Sequence, residues 1–133
     1  MPNGENKMTG QTVLVIGSLH YDIMVEADVL PRPDETAIGR RWYPKFGGKG
    51  GNQAVAAAKA GAPARMMGAV GDDGFGDFLL SSLDRAGVDR SHVRRLPATG
   101  SGMSVAIQDP NGDYAATIVS SANLQIPIGG IGD

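Results

Sequence analysis

The residues best suited to chemistry lie in one stretch, Phe46 to Gly61. There Gly47, Gly48, Gly50 and Gly51 surround Lys49 and run into Asn52, Gln53 and an alanine-rich segment. Glycines let backbone amides approach a ligand closely, and the first turn of a helix carries partial positive charge. Lys49 adds a full charge and Asn52 a neutral amide, so the junction suits an anionic or polyhydroxyl small molecule. Spacing excludes two familiar phosphate loops. Lys49 is followed by Gly50 rather than Ser or Thr, which rules out a Walker loop. No G-x-G-x-x-G fits, and the loop does not follow a predicted core strand, which rules out a dinucleotide fingerprint.

A second candidate is Gly17-Ser18-Leu19-His20-Tyr21-Asp22, after the apolar run Thr12 to Gly17. Ligands of open α/β sheets sit beyond the carboxyl ends of the strands. Asp22 could accept hydrogen bonds from two sugar hydroxyls there, and His20 could touch the same ligand. A turn or cap aspartate and a packing histidine are the plainer roles for each. Gly71-Asp72-Asp73-Gly74-Phe75-Gly76 lacks the spacing and terminal glutamate of a calcium loop, so Asp72 and Asp73 are read as turn and helix N-cap residues. Arg32, Arg40, Arg41 and Lys45 surround Trp42 and Tyr43, a patch that could meet phosphate or simply face water. Gly129 to Asp133 resembles an anion nest, but no helix follows it, so Asp133 is not assigned as a base.

The elements that must hold these residues are predicted from pattern. Thr12 to Gly17 is a continuous apolar run ended by glycine, the mark of a buried parallel strand, and Ala64 to Val70 is a second buried strand, closed by Gly71. Asn52 to Ala60 is a predicted helix with Gly61 and Pro63 beyond it; Phe75 to Ala86 is a second, stopped by Gly87, with Phe75, Phe78, Leu79 and Leu83 at helical spacing. Asp22 to Asp28 and Thr36 to Phe46, parted by Pro31 and Pro33, make a flap rather than core. Gly102 to Gln108 and Tyr114 to Ser120 flank Asp109-Pro110-Asn111-Gly112-Asp113 as a β-hairpin. Two parallel strands make a poor sheet, so either a partner completes it or the chain is the front of a longer protein.

Composition narrows the class. The 133 residues carry a net charge of −2 and no cysteine, which excludes disulfides and thiolate metal sites and gives no reason to expect nucleic acid or an acidic membrane as partner. His20 and His92 are too few and too separated for a zinc cluster. No apolar run reaches the roughly 20 residues of a membrane span. Met1 to Gln11 is polar, without the apolar core of a signal peptide, and is expected to be a short disordered tail. A cytoplasmic α/β chain is the expectation.

Together these residues resemble the N-terminal part of the ribokinase-like sugar kinases, the pfkB carbohydrate kinase family. The resemblance runs from Val13 to about Leu124. It rests on Val15-Ile16-Gly17-Ser18 with Asp22, Pro31 to Thr36, Gly47 to Ala56, Gly71 to Gly76, Thr99-Gly100, Asn111-Gly112 and Ser121 to Leu124. It implies an incomplete ribokinase-like α/β core, with parallel strands and flanking helices over residues 12–18 and 46–98. A β-sheet lid over 19–45 and 99–123 is implied with it, and 124–133 is then a C-terminal tail. It further implies that Asp22, Gly48, Lys49 and Asn52 hold sugar hydroxyls and that Ser104 and Ala106 face the sugar. The implied reaction is phosphoryl transfer from ATP, with Mg2+, to a hydroxyl of a sugar or nucleoside, in a homodimer joined through the lid. Where ribokinase has an asparagine against ribose this chain has His20, so the sugar stays open. The family's catalytic aspartate and its ATP site match no position in this chain, which is then expected to be inactive alone. The alternative is a non-catalytic sugar-binding or dimerisation module completed by another chain.

Overall fold

The computed structural model of the chain describes residues 11–127. Most of the expected N-terminal tail, and all of Gly129 to Asp133, lie outside the described residues. In chain order the elements are β1 (Val13–Ile16), β2 (His20–Ala27), β3 (Gly39–Gly47), α1 (Lys49–Lys59), β4 (Ala64–Gly71), α2 (Gly74–Ala86), β5 (Asp89–Leu96), β6 (Met103–Gln108) and β7 (Tyr114–Val119). A 3-10 turn over Ser121–Gln125 follows, where the sequence reading places the end of the lid and the start of a tail.

Two sheets divide the chain. The core sheet has the order β1-β4-β5 and is parallel throughout; the lid sheet has the order β3-β2-β6-β7. Within the lid β2 runs antiparallel to β3 and parallel to β6, and β6 and β7 form the expected hairpin. The Asp109 carboxylate accepts the amides of Asn111 and Asp113, and Gly112 takes the left-handed conformation the turn requires (φ 89°).

The helices cover one face of the core sheet. Val15, Met66 and Val70 on the strands, Ala54 on α1 and Leu79, Leu80 and Leu83 on α2 form a single apolar cluster with Leu19, the residue just before β2. Helix α1 ends at Gly61 (φ 95°) and α2 at Gly87 (φ 79°), both left-handed as helix termini favour.

Three expectations change. The parallel sheet has three strands, because Asp89–Leu96 pairs with the free edge of β4. Half of this segment is charged and it buries Val93 alone among its side chains, so it carries no apolar run that would mark it in the sequence. Helix α1 starts at Lys49, three residues before the predicted Asn52, because Gly50 and Gly51 are held in the first turn by contact with the strand end beneath them. Lastly, β1 is not buried on both faces: Leu14 and Ile16 are each 44% exposed. The helices pack on the opposite side, and β1 lies at the edge of the sheet among the described residues.

Candidate functional site

The site forms where the chain leaves the core sheet for the lid. Gly17 continues the β1–β4 pairing through its amide to the Met67 carbonyl (3.2 Å), and the next residues climb into β2. Helix α1 begins directly on this crossing. Gly50 packs on Gly17 and Ser18 backbone to backbone, and the Gly51 amide donates to the Ser18 carbonyl at 3.0 Å. Gly48, the N-cap, has φ 97° and lies against Ser18 and Leu19, where no side chain fits. It supplies no capping side chain, and with the Gly51 amide taken by Ser18, the amides of Lys49 and Gly50 are the ones of the first turn left to attract anions and hydroxyls.

Asp22 stands one turn of the pleat above this junction. Its register partners are Ser104 on β6 and Lys45 on β3, and the Ser104 hydroxyl donates to Asp22 Oδ1 at 2.7 Å. His20 pairs with Gly47 at the base of the same strands and is half-buried beside Gly102. Alternation along β2 puts His20, Asp22, Met24 and Glu26 on one face, with Ser104 and the buried Ala106 beside them on β6. The structure therefore groups Asp22, His20, Ser104 and Ala106, with Gly48 one residue beyond Gly47, on which the Asp22 carboxylate lies. Lys49 is exposed as the first residue of α1. Asn52 is set apart: it lines a groove between α1 and α2 with Phe46, Val55, Ser82 and Arg85, and it shares none of the hydrogen bonds around Asp22.

Further out, the three arginines of the basic patch form ion pairs. Arg41 makes a two-pronged contact with Glu26 (2.9 and 2.8 Å), Arg40 lies 3.4 Å from Asp28, and Arg32 pairs with Glu35 at 2.8 Å. The hydrogen bond from Arg41 holds the Glu26 carboxyl below its ordinary value of 4.5, although desolvation opposes it. Arg41 also lies 4.7 Å from the centre of the Tyr43 ring.

Two groups with no signal of this role in the sequence reading set the angle between lid and core. The Asn123 side chain pairs with the Leu19 peptide in both directions, accepting from its amide at 3.0 Å and donating to its carbonyl at 2.9 Å. It thereby fixes the first residue of the climb into β2. Asp73 caps α2 as expected, accepting the Gly76 amide at 2.8 Å, and also takes the amide and hydroxyl of Ser101 at 3.0 and 2.7 Å. Ser101 in turn accepts the Gly71 amide at 2.8 Å, so this knot joins the end of β4, the start of α2 and the approach to β6. Tyr21 adds an aromatic tie, stacked on Phe75 with ring centres 4.0 Å apart.

The model of the pfkB family carbohydrate kinases matches residues 11–126, a span that includes the crossing, the glycine start of α1 and all four lid strands. The chain belongs to the pfkB family. It is similar to a ribokinase of Bacillus subtilis, 38% identical over 116 residues, which is 87% of this chain and 39% of that protein. A deoxyribokinase of Salmonella typhi is 34% identical over 111 residues, 84% of this chain and 36% of that protein. Among solved structures, a ribokinase of Arabidopsis thaliana complexed with ribose and ATP superposes with a TM-score of 0.78 at 33% identity, covering 84% of this chain and 36% of that one. The pfkB domain here thus spans under two fifths of the length of these relatives. Among the described residues no group of three or more His, Asp or Glu side chains is placed to hold a metal ion. No helix of the described residues is long and apolar enough to cross a membrane.

Proposed function

We propose that this chain is the sugar-binding and lid portion of an ATP-dependent carbohydrate kinase, and that the residues performing the phosphoryl transfer are not among its own. One observation carries the reading. Asp22 stands between Lys45 and Ser104 in the lid sheet, and its carboxylate lies against Gly47, the residue before the N-cap Gly48 of α1. A carboxylate there accepts hydrogen bonds from two hydroxyls while Gly48 and Lys49 offer donors, which is the pattern a polyol requires. His20 beside it distinguishes the floor of this site and selects among pentoses, deoxypentoses and nucleosides. In the whole enzyme such a pocket fixes one hydroxyl for in-line attack on the ATP γ-phosphate, with Mg2+ and a base to take the proton.

The test is an NMR titration of the chain with D-ribose and 2-deoxy-D-ribose. Shifts should appear at residues 20–22, 47–49 and 104–106, and Asp22→Asn should weaken binding tenfold or more, in line with about 1.5–3 kcal/mol for a hydrogen bond to a charged group. Equal titrations of wild type and variant would remove Asp22 from the site. Robust sugar phosphorylation by the chain alone would refute the placement of catalysis elsewhere.

The second reading is a non-catalytic module completed by another chain. The half-exposed Leu14 and Ile16 on the open face of the core sheet favour it. Either reading includes a homodimer through the lid, supported by its outer face. There Trp42, 62% exposed, lines a groove with Ile23 and Val25, whose register partners on β6 are Val105 and Ile107. Light scattering should give twice the chain mass, and Trp42→Glu should return it to that of a monomer. A well-folded wild-type monomer would exclude the lid dimer.

A further inference from the structure

The Asp22 carboxylate is held from two sides before any ligand arrives. On one side Ser104, 7% exposed and in direct register, donates its hydroxyl to Oδ1 at 2.7 Å. That length is typical of a charge-assisted hydrogen bond. On the other side lies Gly47, the last residue of β3. A Cβ at Gly47 would overlap Asp22 Oδ2, with Oδ1 only 3.0 Å away, so the carboxylate occupies the space a side chain would need. Gly47 is therefore glycine for the sake of Asp22 rather than for its own backbone: it is absent from the left-handed residues of the chain.

We propose that Ser104 and Gly47 are positioning residues for Asp22. Resting on the reading of Asp22 as a sugar ligand, this gives Ser104 a role other than direct contact with sugar. Its hydroxyl proton is already committed to Oδ1, which leaves Oδ2 and the outer lone pairs of Oδ1 for substrate hydroxyls. A carboxylate on a strand with free neighbours samples several rotamers, and a ligand must freeze it on binding. Here the freezing is built into the sheet. The selectivity follows: only a diol whose two hydroxyls match one fixed carboxylate orientation is accepted fully.

Two measurements test this on the intact chain. The first is the Asp22 Hα–Hβ coupling pattern in the ligand-free protein. Wild type and Ser104→Thr should show one rotamer, and Ser104→Val an average over several. Threonine and valine have nearly the same shape and the same strand preference, so only the hydroxyl distinguishes them. The second is the D-ribose titration, where Ser104→Val should bind about tenfold more weakly and Ser104→Thr like wild type. Gly47→Ala should change the couplings as Ser104→Val does, but Ser104→Val decides the matter should the Gly47 variant fail to fold. A single rotamer in Ser104→Val, or an averaged one in wild type, overturns the proposal whatever the sugar does. If Asp22→Asn loses ribose and Ser104→Val keeps it, the positioning role fails while the sugar site stands. If wild type does not bind sugar, the sugar site fails, and the couplings alone decide whether Ser104 orients Asp22.

Discussion

Gly50→Ala is expected to unfold the chain or lower its stability by about 3 kcal/mol, the upper end for overpacking a tight interior. A Cβ at Gly50 would lie 2.8 Å from the Gly17 Cα, the Gly17 carbonyl carbon and the Ser18 amide nitrogen. Carbon atoms in ordinary contact sit about 3.5–4.0 Å apart. All the neighbours are backbone, with no flexible side chain to turn away. The end of β1 and the first turn of α1 must therefore separate, breaking the Gly51 to Ser18 hydrogen bond and moving Gly48 and Lys49 off the site. Gly74→Ala is the control. It is also a first-turn helical glycine, but nothing lies within 4 Å of its Cβ position, so alanine should leave stability unchanged or raise it by about 0.5 kcal/mol. Urea unfolding followed by circular dichroism measures both. Equal midpoints for the two variants would mean that the Gly17–Gly50 contact does not limit the fold.

Asp73→Ala has the second large effect, about 3 kcal/mol, combining a lost helix cap with charged hydrogen bonds to Ser101. It also exposes a pH dependence. Burial by itself would raise the Asp73 pKa. The Ser101 hydroxyl and amide and the Gly76 amide, helped by the charge of Arg95, outweigh burial and hold it below the ordinary 3.8. The native state therefore binds this proton less readily than the unfolded chain. Its contribution is fully present above pH 4 to 5 and is lost as pH falls through 3.8 toward the lower native value. Urea midpoints taken from pH 6 down to pH 3 should fall more steeply for wild type than for Asp73→Asn, which keeps the shape and cannot titrate. Parallel curves for the two proteins would show that Asp73 is not what acid attacks. The exposed carboxylates of Asp84 and Asp89, also held low, one by Arg90 and the other by Ser91, are common to both proteins and cancel in the comparison.

Much of this was legible in the residue order, for identifiable reasons. Helices α1 and α2 announced their ends because Gly61 and Gly87 adopt a backbone conformation that other residues resist. The β6–β7 hairpin was legible because Asp109 and Gly112 act within their own turn. The Gly-Gly-Lys-Gly-Gly-Asn run with Asp22, taken together with the motifs from Val15 to Leu124, carried the family resemblance, and glycine at a close approach has no substitute. The helix-end and hairpin signals are local, with residue and constraint a few positions apart; the glycine run answers a distant strand end, and its types alone made it legible.

What the tertiary structure alone decided is non-local. Strand β5 exists because the free edge of β4 accepts it, and its charged residues say nothing of that edge. Asn123 holds Leu19 across 104 positions, Ser101 meets Asp73 across 28, and Ser104 meets Asp22 across 82. Residue types and spacing nominated Asp22 and the glycines, and Ser104 came only from the family resemblance. Only the pairing of β2 between β3 and β6 turned them into one site, because a hydrogen bond needs its partners within about 3 Å and sequence separation carries no distance.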